Sequence, residues 1–496
     1  MILTQIGRAN RRSSFAALTV ALMSLALSGS LAADPLSDTF QPDVFGTGSA
    51  LQHRTPGLTD PLSLACPLPP SAITLAIAVD VALCRNPATR TAWANAHLQA
   101  AALGAAESAW LPTITGSDAE TRNWGPHVDV LGNVDTEPQN SNDAALQLSW
   151  TLYDFGARTG RIRSARYLLD AAAATTTFAV QQTAFNVVQD FYNVVAGNQS
   201  VAAAKITQDT AAGSLDIARA LHEGGVATLA DVLQAETAYD QTVLAFAQTE
   251  QSAEGQRGAL AIAIGVPADQ PLKLDAEPVP AEVPALTARL PELMNEAARQ
   301  RPDLASARSQ VDAAVANVSV ARALGWPAIT LAGGRNRIDT SGACGTILSP
   351  CVPLQNYSQI GVTVTLPIFT GFNTSYNIRQ AQAQLQVQQQ NAEQVRLQVT
   401  LDVWNGYYAL DSANKQLTAS AVLLKTAQTD LEVTEGQYKA GVAAFINVLS
   451  AQSALASARL SRIQAELSWE VARAQLGLAL GRLSGSDPLK GLVTSE

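Results

Sequence analysis

The sequence predicts an internally duplicated α+β membrane protein, whose strands contribute to a transmembrane β-barrel and whose helices form a long tube. Three observations predict this fold class. Pro87 and Pro302 lie 302 − 87 = 215 positions apart, and Gly225 and Gly441 lie 441 − 225 = 216 positions apart. A repeat of this length indicates that half of the protein was duplicated. Each half also contains two segments of period two and one very long helical run.

Residues 1–71 are predicted to precede the duplicated part. Residues 1–33 have a basic start, an apolar stretch from Phe15 to Leu27 and small residues before position 34, which is typical of a secretory signal peptide. A retained anchor is the alternative, although the apolar stretch is too short to span a bilayer as a helix. Residues 34–71 are rich in Pro, Ser, Thr, Asp and Gly without a period, so we expect a flexible leader.

The internal match sets the boundaries of the duplicated part. We place the first repeat at 72–265, a linker rich in Pro, Ala and acidic residues at 266–289, the second repeat at 290–482 and a C-terminal tail at 483–496. Each repeat begins with a helical segment that contains a Pro. Because Pro starts a helix more easily than it continues one, we expect two consecutive helices there.

Two segments in each repeat alternate apolar and polar residues, as strands with one apolar face do. The clearest alternations cover 146–152 and 360–368, and weaker partner strands follow Pro112 and Pro327. About ten residues is the length of a transmembrane β-strand, although ordinary hairpins on a soluble domain are the alternative. Four tryptophans lie near the strand ends, where a membrane-interface belt would place them: Trp110, Trp124, Trp150 and Trp326.

Long helical runs at 157–222 and 373–439 follow the second strand of each repeat and contain no Pro. At about 1.5 Å per residue, each run is roughly 100 Å long. Each run ends at a Gly-containing turn and is followed by another helix, at 227–264 or 443–480. In the last helix, six residues with coiled-coil spacing predict a packing seam: Leu460, Ile463, Leu467, Val471, Ala474 and Leu478.

Four strands per chain cannot close a barrel. An open sheet edge is not tolerated in lipid, because each unpaired backbone group costs several kcal/mol. The strands must therefore be completed by other chains. Two chains would give eight strands around an interior filled by side chains, whereas three chains would give twelve strands around a lumen.

The cysteines form two sequence-close pairs, which in an exported chain predicts the disulfides Cys66–Cys84 and Cys344–Cys351. Sequence alone permits three pairings. A metal site is the weaker alternative, because no His lies near either pair at ligand spacing. The second pair lies in the strand-connecting loop predicted at 339–357, whose counterpart in the first half is 125–143.

No group of residues points to catalysis or to a bound cofactor. The four His residues are scattered, and no phosphate loop, nucleophile elbow or Cys-x-x-Cys is present. We therefore expect neither an enzyme nor a cofactor or metal site. The net charge of −10 becomes −10 − 3 = −13 without the three arginines of residues 1–33, which disfavours nucleic acid as a partner.

The duplicated part resembles the TolC-like outer-membrane channel family, which serves multidrug efflux and type I protein secretion in Gram-negative bacteria. The resemblance covers residues 72–482. It is carried by Asn86-Pro87, Trp110-Leu111-Pro112, the segment Leu148 to Gly156, the segment Pro367 to Gly371 and the two Gly turns. It implies a homotrimer whose 12-stranded transmembrane β-barrel, with four strands per chain, lies in the outer membrane and continues into a periplasmic α-helical barrel.

The resemblance also implies a function and partners. The chain would be the outer-membrane channel of a tripartite export system. It would receive substrates from an inner-membrane ABC or proton-driven transporter through a periplasmic adaptor (membrane fusion) protein. A soluble periplasmic coiled-coil scaffold is the alternative, and it predicts that no oligomer is found in the outer membrane.

In the family, an Asp on the first helical hairpin interacts with a Tyr and an Arg on the second and holds the periplasmic end closed. The matching positions are Asp231, Tyr438 and Ala443, so the Arg is missing here. Some members ring the entrance with acidic residues, and the matching positions carry the neutral Asn447 and Ser450. The alternatives are a first-turn helix acid for Asp231 and interhelix packing for Tyr438.

The turns themselves are the last candidate site. Gly224, Gly225, Gly441 and Val442 lie where the tube would meet its adaptor. Glycines at these positions are also expected simply to end the helices, because Gly adopts the left-handed conformation that commonly follows a helix.

Overall fold

The computed structural model describes residues 43–63, 66, 72–128, 134–135, 138–275, 289–341 and 354–483. The chain divides into two compact units, Met1–Gly46 and Thr47–Glu496. In the first unit the described residues, 43–46, form a turn in which the Gly46 amide donates to the Asp43 carbonyl over 3.2 Å. The second unit contains every helix and strand discussed below.

Some sequence predictions fall on residues that lie outside these ranges. They concern the signal peptide at 1–33, the second cysteine pair, Cys344 and Cys351, and the C-terminal tail from 484 onward. Most of the linker predicted at 266–289 also lies outside them, because residues 276–288 are not described.

The elements follow the same order in both halves. The first half consists of α1 (Thr47–Arg54), α2 (Leu75–Arg85), α3 (Pro87–Glu107), β1 (Thr113–Asn123), β2 (His127–Val128), β3 (Val134–Asp135), β4 (Gln139–Tyr153), α4 (Ala157–Glu223) and α5 (Leu229–Ala263). The second half consists of α6 (Leu290–Gln300), α7 (Pro302–Ala323), β5 (Ala328–Ser341), β6 (Leu354–Thr365), α8 (Asn373–Lys439) and α9 (Phe445–Leu480). Helices α4 and α8 both contain 67 residues and begin 373 − 157 = 216 positions apart.

Four antiparallel strands form one sheet in the order β1-β4-β5-β6. The strands contain 11, 15, 14 and 12 residues, longer than the ten or so that the sequence predicts. The extra length comes partly from β4, which begins at Gln139 inside the loop predicted at 125–143. That loop also contains the small hairpin of β2 and β3. Within the described residues, β1 and β6 each have one edge without a strand partner.

The helices pack side by side in two overlapping series. Near the strands the order is α3, α4, α7 and α8, and in the hairpin region it is α5, α4, α9 and α8. One side of the chain is therefore formed by α3, β1 and α5, and the other side by β6 and α8. In the described part of the chain, no helix is both long enough and apolar enough to cross a membrane.

Each half contains a buried apolar cluster at the equivalent place. Val187 and Leu260 lie in a cluster that joins α2, α4 and α5. Val403 and Leu476, each 216 positions later, lie in the corresponding cluster of α6, α8 and α9. A third cluster holds the two long hairpins together near their turns and includes Tyr438.

The leader is not flexible over its whole length, so this part of the prediction is wrong. Residues 47–54 form helix α1, and Leu51 is almost fully buried in a cluster with Trp93 and Leu169. Arg54 of the same helix forms an ion pair with Asp170 on α4. The sequence does not predict this helix because its apolar residues are few. One buried leucine and one ion pair stabilise it, and neither gives a periodic hydrophobic pattern.

The packing seam predicted in α9 is wrong for most of its residues, because only Ala474 of the six is fully buried. Leu460 is half exposed, and the bulky residues near it line a groove between the two hairpins rather than the helix contact. The buried face along the middle of the helix consists mainly of alanines with three larger residues between them: Ala451, Leu455, Ala458, Ala465, Trp469, Ala472, Ala474 and Leu476. Small side chains allow α9 to approach two neighbouring helices at once, α8 and α4.

Candidate functional site: helical tips and membrane strands

The turn of the first long hairpin is a Schellman motif, the backbone arrangement that ends many helices. The Val226 amide donates to the Leu221 carbonyl over 2.8 Å, and the Gly225 amide donates to the His222 carbonyl over 2.9 Å. Gly225 has a φ of 75°, which glycine adopts without strain. Gly224 has ordinary helical geometry, so the backbone does not require glycine there.

The second turn repeats the first. The Val442 amide donates to the Gln437 carbonyl over 3.0 Å, the Gly441 amide donates to the Tyr438 carbonyl over 2.9 Å, and Gly441 has a φ of 72°. Val226 and Val442 are among the most exposed apolar residues, at 66% and 76%. Both turns therefore present one valine to a partner or to solvent.

Asp231 closes the first turn of α5 by a capping box. Its carboxylate accepts from the Thr228 amide over 3.0 Å, and the Thr228 hydroxyl accepts from the Asp231 amide over 3.2 Å. This arrangement satisfies two amides that the start of a helix otherwise leaves free. The helix-cap interpretation of Asp231 thus has a direct structural basis.

Tyr438 lies close enough to Asp231 to sense its charge. The ring is 8% exposed and packs against Phe445 at 5.2 Å between centroids. Burial, and secondarily the negative charge of Asp231, raise the pKa of Tyr438 above its ordinary value. The phenolic oxygen is buried and makes no hydrogen bond in the described structure. A buried hydroxyl without a hydrogen bond costs free energy, so a hydrogen bond from Tyr438 to a carboxylate would be favourable.

Among the four predicted gate residues, an interaction between side chains is found for one pair, in which the charge of Asp231 acts on Tyr438. Asn447 and Ser450 are exposed on α9. The Ser450 hydroxyl donates to the carbonyl of Ile446 on its own helix over 2.9 Å. The Asn447 and Ser450 side chains contribute no charge to the entrance.

The four tryptophans divide between the two ends of the sheet. Trp110, Trp150 and Trp326 lie at the end that joins the helices, and Trp124 follows β1 at the far end. All four are exposed, Trp124 to 74%. The indole of Trp150 donates to the Trp110 carbonyl over 2.9 Å. Aromatic residues at both ends of the strands are the arrangement expected of a membrane-interface belt.

Arg158, which sequence analysis did not single out, joins the strands to the helices. Its guanidinium is buried, donates to the Leu152 carbonyl over 3.0 Å and lies 4.2 Å above the Trp110 ring. It also forms an ion pair with Asp154 over 3.3 Å. The sequence could have indicated this contact through the Asp-Phe-Gly-Ala-Arg segment, which places an acidic and a basic residue four positions apart at a helix start.

Two phenylalanines adopt the left-handed conformation where strands turn into long helices. Phe155 has a φ of 51° and precedes Gly156, and Phe372 has a φ of 65° and follows Gly371. Left-handed backbone is uncommon for a bulky residue and costs free energy. Both rings are exposed, and Phe155 stacks on Trp326 at 5.6 Å. Both junctions therefore expose a phenylalanine, and Phe155 adds its ring to the aromatic residues at this end of the sheet.

Near the helices one face of the sheet is apolar, and the opposite face is polar. The register places Ile114, Leu148 and Ile360 in one row of neighbouring positions, with Gly333 between the last two. The opposite face carries Thr, Ser, Gln and Asn, and Asp143 is its only charged residue among those described. The apolar face fits lipid and the polar face fits a water-filled lumen.

The structure contains a disulfide between Cys66 and Cys84, whose Cα atoms are 6.1 Å apart. The bond ties the segment before α2 to the C-terminal end of α2. The Arg85 guanidinium donates to the Cys66 carbonyl over 3.1 Å and supports the same contact. Within the described residues no cluster of His, Cys, Asp and Glu could hold a metal ion.

Comparison with known proteins identifies the family. The family model described as outer membrane efflux protein matches residues 78–266 and 293–482, one match in each half. The chain belongs to the outer membrane efflux protein family. It is thus an outer-membrane channel protein of export systems, in a family of transport proteins.

Individual relatives extend along most of the chain. Protein CyaE of Bordetella pertussis is 29% identical over 405 residues, which cover 80% of this chain and 82% of CyaE. The probable efflux pump outer membrane protein TtgC of Pseudomonas putida is 28% identical over 278 residues, which cover 54% of each protein. The solved outer-membrane channel OprN has a TM-score of 0.72 at 20% identity and covers 87% of this chain and 98% of OprN.

These findings confirm three sequence predictions. The four-stranded sheet joined to long helices is the fold of an outer-membrane channel. The resemblance to TolC-like channels and the outer-membrane location follow from family membership. The soluble periplasmic scaffold, the alternative that the sequence left open, has no support.

Proposed function

We propose that three copies of this outer membrane efflux family protein close into one 12-stranded barrel and one periplasmic helical tube. The support comes from the interface between the two halves of a single chain. There β4 pairs with β5, and α4 packs against both α7 and α9. Because the halves share one backbone, the same interface can form between β6 and α8 of one chain and β1, α3 and α5 of the next.

The side of the chain that would form this contact carries an unpartnered apolar stripe. Its four residues on α8 are spaced by 4, 3 and 4 positions and are each about half exposed: Leu397, Leu401, Trp404 and Tyr408. The equivalent residues on α4, 216 positions earlier, are packed inside the chain or close to its core: Gln181, Phe185, Val188 and Tyr192. Within one chain, the second half covers this face of α4. The first half of a neighbouring chain would cover the equivalent face of α8 in the same way.

The number of chains follows from the sheet. Four strands per chain give twelve strands for three chains, and a barrel of that size leaves room for a lumen, whereas eight strands do not. The polar inner face of the sheet would line that lumen. A trimer also removes both open strand edges, which lipid does not tolerate.

A pair of cysteine substitutions tests the trimer. Inside one chain the Thr175 and Ser306 hydroxyls are 2.9 Å apart at the α4–α7 contact. Their equivalents are Asn391, at 175 + 216, and Thr91, at 306 − 215, and both are exposed in the single chain. We expect Asn391→Cys with Thr91→Cys to form disulfides between chains, so that oxidised protein runs as a trimer on a denaturing gel.

The matched control is Thr175→Cys with Ser306→Cys, which should cross-link within one chain and leave it a monomer on the same gel. Asn391→Cys alone should give no trimer. If the double variant formed only dimers, or no cross-link while the control formed one, the proposed closure would be wrong.

The trimer would act as the outer-membrane part of a tripartite exporter. We propose that a periplasmic adaptor docks on the two turns, at Gly224, Gly225, Gly441 and Val442, and connects them to an inner-membrane ABC or proton-driven transporter. The exposed valines at both turns support this position. Replacement of Val442 by Asp should abolish export without changing single-channel conductance, because the lumen of the isolated channel is untouched.

Two substrate classes remain within this function, type I secretion of a protein or toxin and multidrug efflux. The name of TtgC, an efflux pump protein, supports the second class. A nearly uncharged polar lumen is compatible with both, since it holds no strong binding site. A clean deletion, scored in one strain for drug sensitivity and for loss of a secreted protein, separates the two classes.

We also propose that Asp231 and Tyr438 form a gate at the periplasmic end, which opens when the two hairpins separate. The negative charge of Asp231, which acts on the buried Tyr438 hydroxyl, supports it. We expect Asp231→Ala and Tyr438→Phe to raise conductance in planar bilayers. Thr228→Ala removes the hydroxyl that caps the helix but keeps both the Asp231 carboxylate and the Tyr438 hydroxyl, so it should leave conductance unchanged. Equal conductance in all three variants and the parent would reduce Asp231 to a helix cap.

A further inference from the structure

The apolar face of the sheet changes character towards the end that is far from the helices. Residues on this face are apolar near the helices, from Ile360 to Val364 on β6 and at Ile329 and Leu331 on β5. Two and four positions beyond Gly333 on β5, the same face carries Arg335 and Arg337. Since the helices are periplasmic, these arginines lie towards the outer leaflet.

Both arginines face lipid rather than the lumen or a neighbouring chain. Arg335 is paired with Leu146 on β4 and Ser358 on β6, and Arg337 with Ala144 and Asn356. Strand β5 lies between β4 and β6 of its own chain, so no other chain covers it. Both side chains are exposed.

Neither arginine forms an ion pair within the described residues. The acidic residues on the same face are Asp118 and Glu120 on β1 and Asp339, one row further out on β5. Asp118 lies two strands from Arg337, about 10 Å away at the usual strand spacing, and accepts a hydrogen bond from Asn142 over 2.9 Å. The third arginine of this face, Arg122, lies over the Trp124 ring at 5.5 Å.

An unpaired guanidinium at the edge of a hydrocarbon band requires an anion. The side chain can extend along the barrel towards the polar headgroups. Its planar donors match the oxygens of a phosphate, and they bind it by paired, charge-assisted hydrogen bonds. Two arginines about 7 Å apart, two residues along one strand, can bind phosphate groups of one lipid headgroup.

We propose that Arg335 and Arg337 form a binding site for the phosphate groups of lipopolysaccharide in the outer leaflet. The neutral neighbours on both flanking strands leave the two guanidinium groups available to this ligand. With one such site on each chain, bound lipid would restrict how deeply the barrel sits in the membrane and how freely it rotates there. It depends on the orientation of the barrel and not on which pump or substrate the channel serves.

Native mass spectrometry of the purified full chain in detergent tests the proposal. The probes are lipid A with both phosphates and the same lipid after chemical removal of the phosphates. We expect the parent protein to bind the phosphorylated lipid at least about tenfold more tightly, as paired charge-assisted hydrogen bonds allow. Arg335→Gln with Arg337→Gln should remove that preference.

The matched control is Arg161→Gln with Arg163→Gln on α4, which removes the same charge from exposed periplasmic positions two residues apart. It should retain the preference, and so should Arg335→Lys with Arg337→Lys, to within several-fold. Equal binding of the two lipids by the parent would overturn the proposal, even if the Gln variant failed to fold. Equal preference in the parent and a folded Gln variant would also overturn it. Neither outcome bears on the trimer or on export, because the assay measures lipid bound per chain.

Discussion

Helices α5 and α9 occupy equivalent places in the two halves, yet the chain surrounds them very differently. They contain 35 and 36 residues, but five residues are buried in α5 and fourteen in α9. Helix α9 packs against both α8 and α4, whereas α5 has α4 on one side and an open face on the other. Equivalent helices in a duplicated backbone are therefore not equally buried. Helix α9 lies between two other helices of the chain, whereas α5 lies at its edge.

The same contrast appears where the short helices meet the ends of α5 and α9. In the first half the Asn86 side chain donates to the Ala263 carbonyl over 2.7 Å. In the second half the equivalent residue is Arg301, which lies 3.4 Å from the Leu478 carbonyl. Arg301 also pairs with Asp303 and Asp402 at 2.7 and 3.0 Å and lies over the Phe178 ring of the first half. In place of the Asn86 hydrogen bond, the second half has a buried guanidinium that pairs with two carboxylates of its own half and lies over one aromatic ring of the first half.

The largest expected difference between the halves is therefore at this pair of positions. Arg301→Ala removes a buried guanidinium and leaves two carboxylates, which are 22% and 31% exposed, without their partner. It should lower the free energy of unfolding by about 3–5 kcal/mol. Asn86→Ala removes a helix cap and should cost about 1 kcal/mol. Denaturant unfolding of the detergent-solubilised chain, followed by circular dichroism, measures both values. If both variants lost the same free energy of unfolding, the ion pairs of Arg301 would add no stability beyond that of the Asn86 hydrogen bond.

The first residues of α9 and α5 give the next largest contrast. Phe445 is 2% exposed and Leu229, 216 positions earlier, is 60% exposed. Phe445→Ala should lower the free energy of unfolding by about 3–4 kcal/mol, because it leaves a cavity beside Tyr438. Leu229→Ala should change it by less than about 0.5 kcal/mol in the isolated chain. A loss at Leu229 that appears only in the trimer would show that a neighbouring chain buries it.

The smallest effect concerns pH. Glu470 on α9 is buried, and this burial raises its pKa, although Arg473 and a hydrogen bond with Tyr192 oppose the shift. A raised carboxyl pKa means that the folded chain holds a proton that the unfolded chain has already lost. The free energy of unfolding therefore falls as pH rises from the ordinary glutamate pKa to the raised one.

Glu470→Gln should remove this dependence. The thermal midpoint of the variant minus that of the parent should become more positive as pH rises above the ordinary glutamate range. The equivalent Glu254 on α5 is exposed and pairs with Arg257, so Glu254→Gln should give a difference that hardly changes with pH. If the two variants showed the same change in midpoint difference with pH, burial of Glu470 would not be the cause of the pH dependence.

Local patterns in the sequence predict much of this molecule. The paired prolines and glycines indicate the duplication, because the conformations they favour do not depend on distant residues. Strand periodicity predicts which residues share a face, and the helix ends at Gly225 and Gly441 lie where the sequence places them. The family resemblance also singles out Asp231 and Tyr438, and the charge of Asp231 acts on Tyr438 in the structure. Their role as a gate stays a prediction.

Other features depend on residues that are distant in the sequence. The buried face of α9 is set by two neighbouring helices, so heptad spacing alone selects mostly wrong residues. Arg158 and Arg301 look like surface arginines until their partners, 48 and 101 positions away at Trp110 and Asp402, are brought together. Helix α1 has no periodic signal, and only the cluster around Leu51 shows why it folds.

The sequence by itself therefore determined the duplicated plan, the alternating strands and the ends of the long helices, since each of these depends on local conformational preference and periodicity. Only the tertiary structure decided which copy of each equivalent residue is buried and which arginine carries an ion pair. The reason is physical: burial and charge pairing depend on what lies across the contact, and in this chain the two halves have different neighbours.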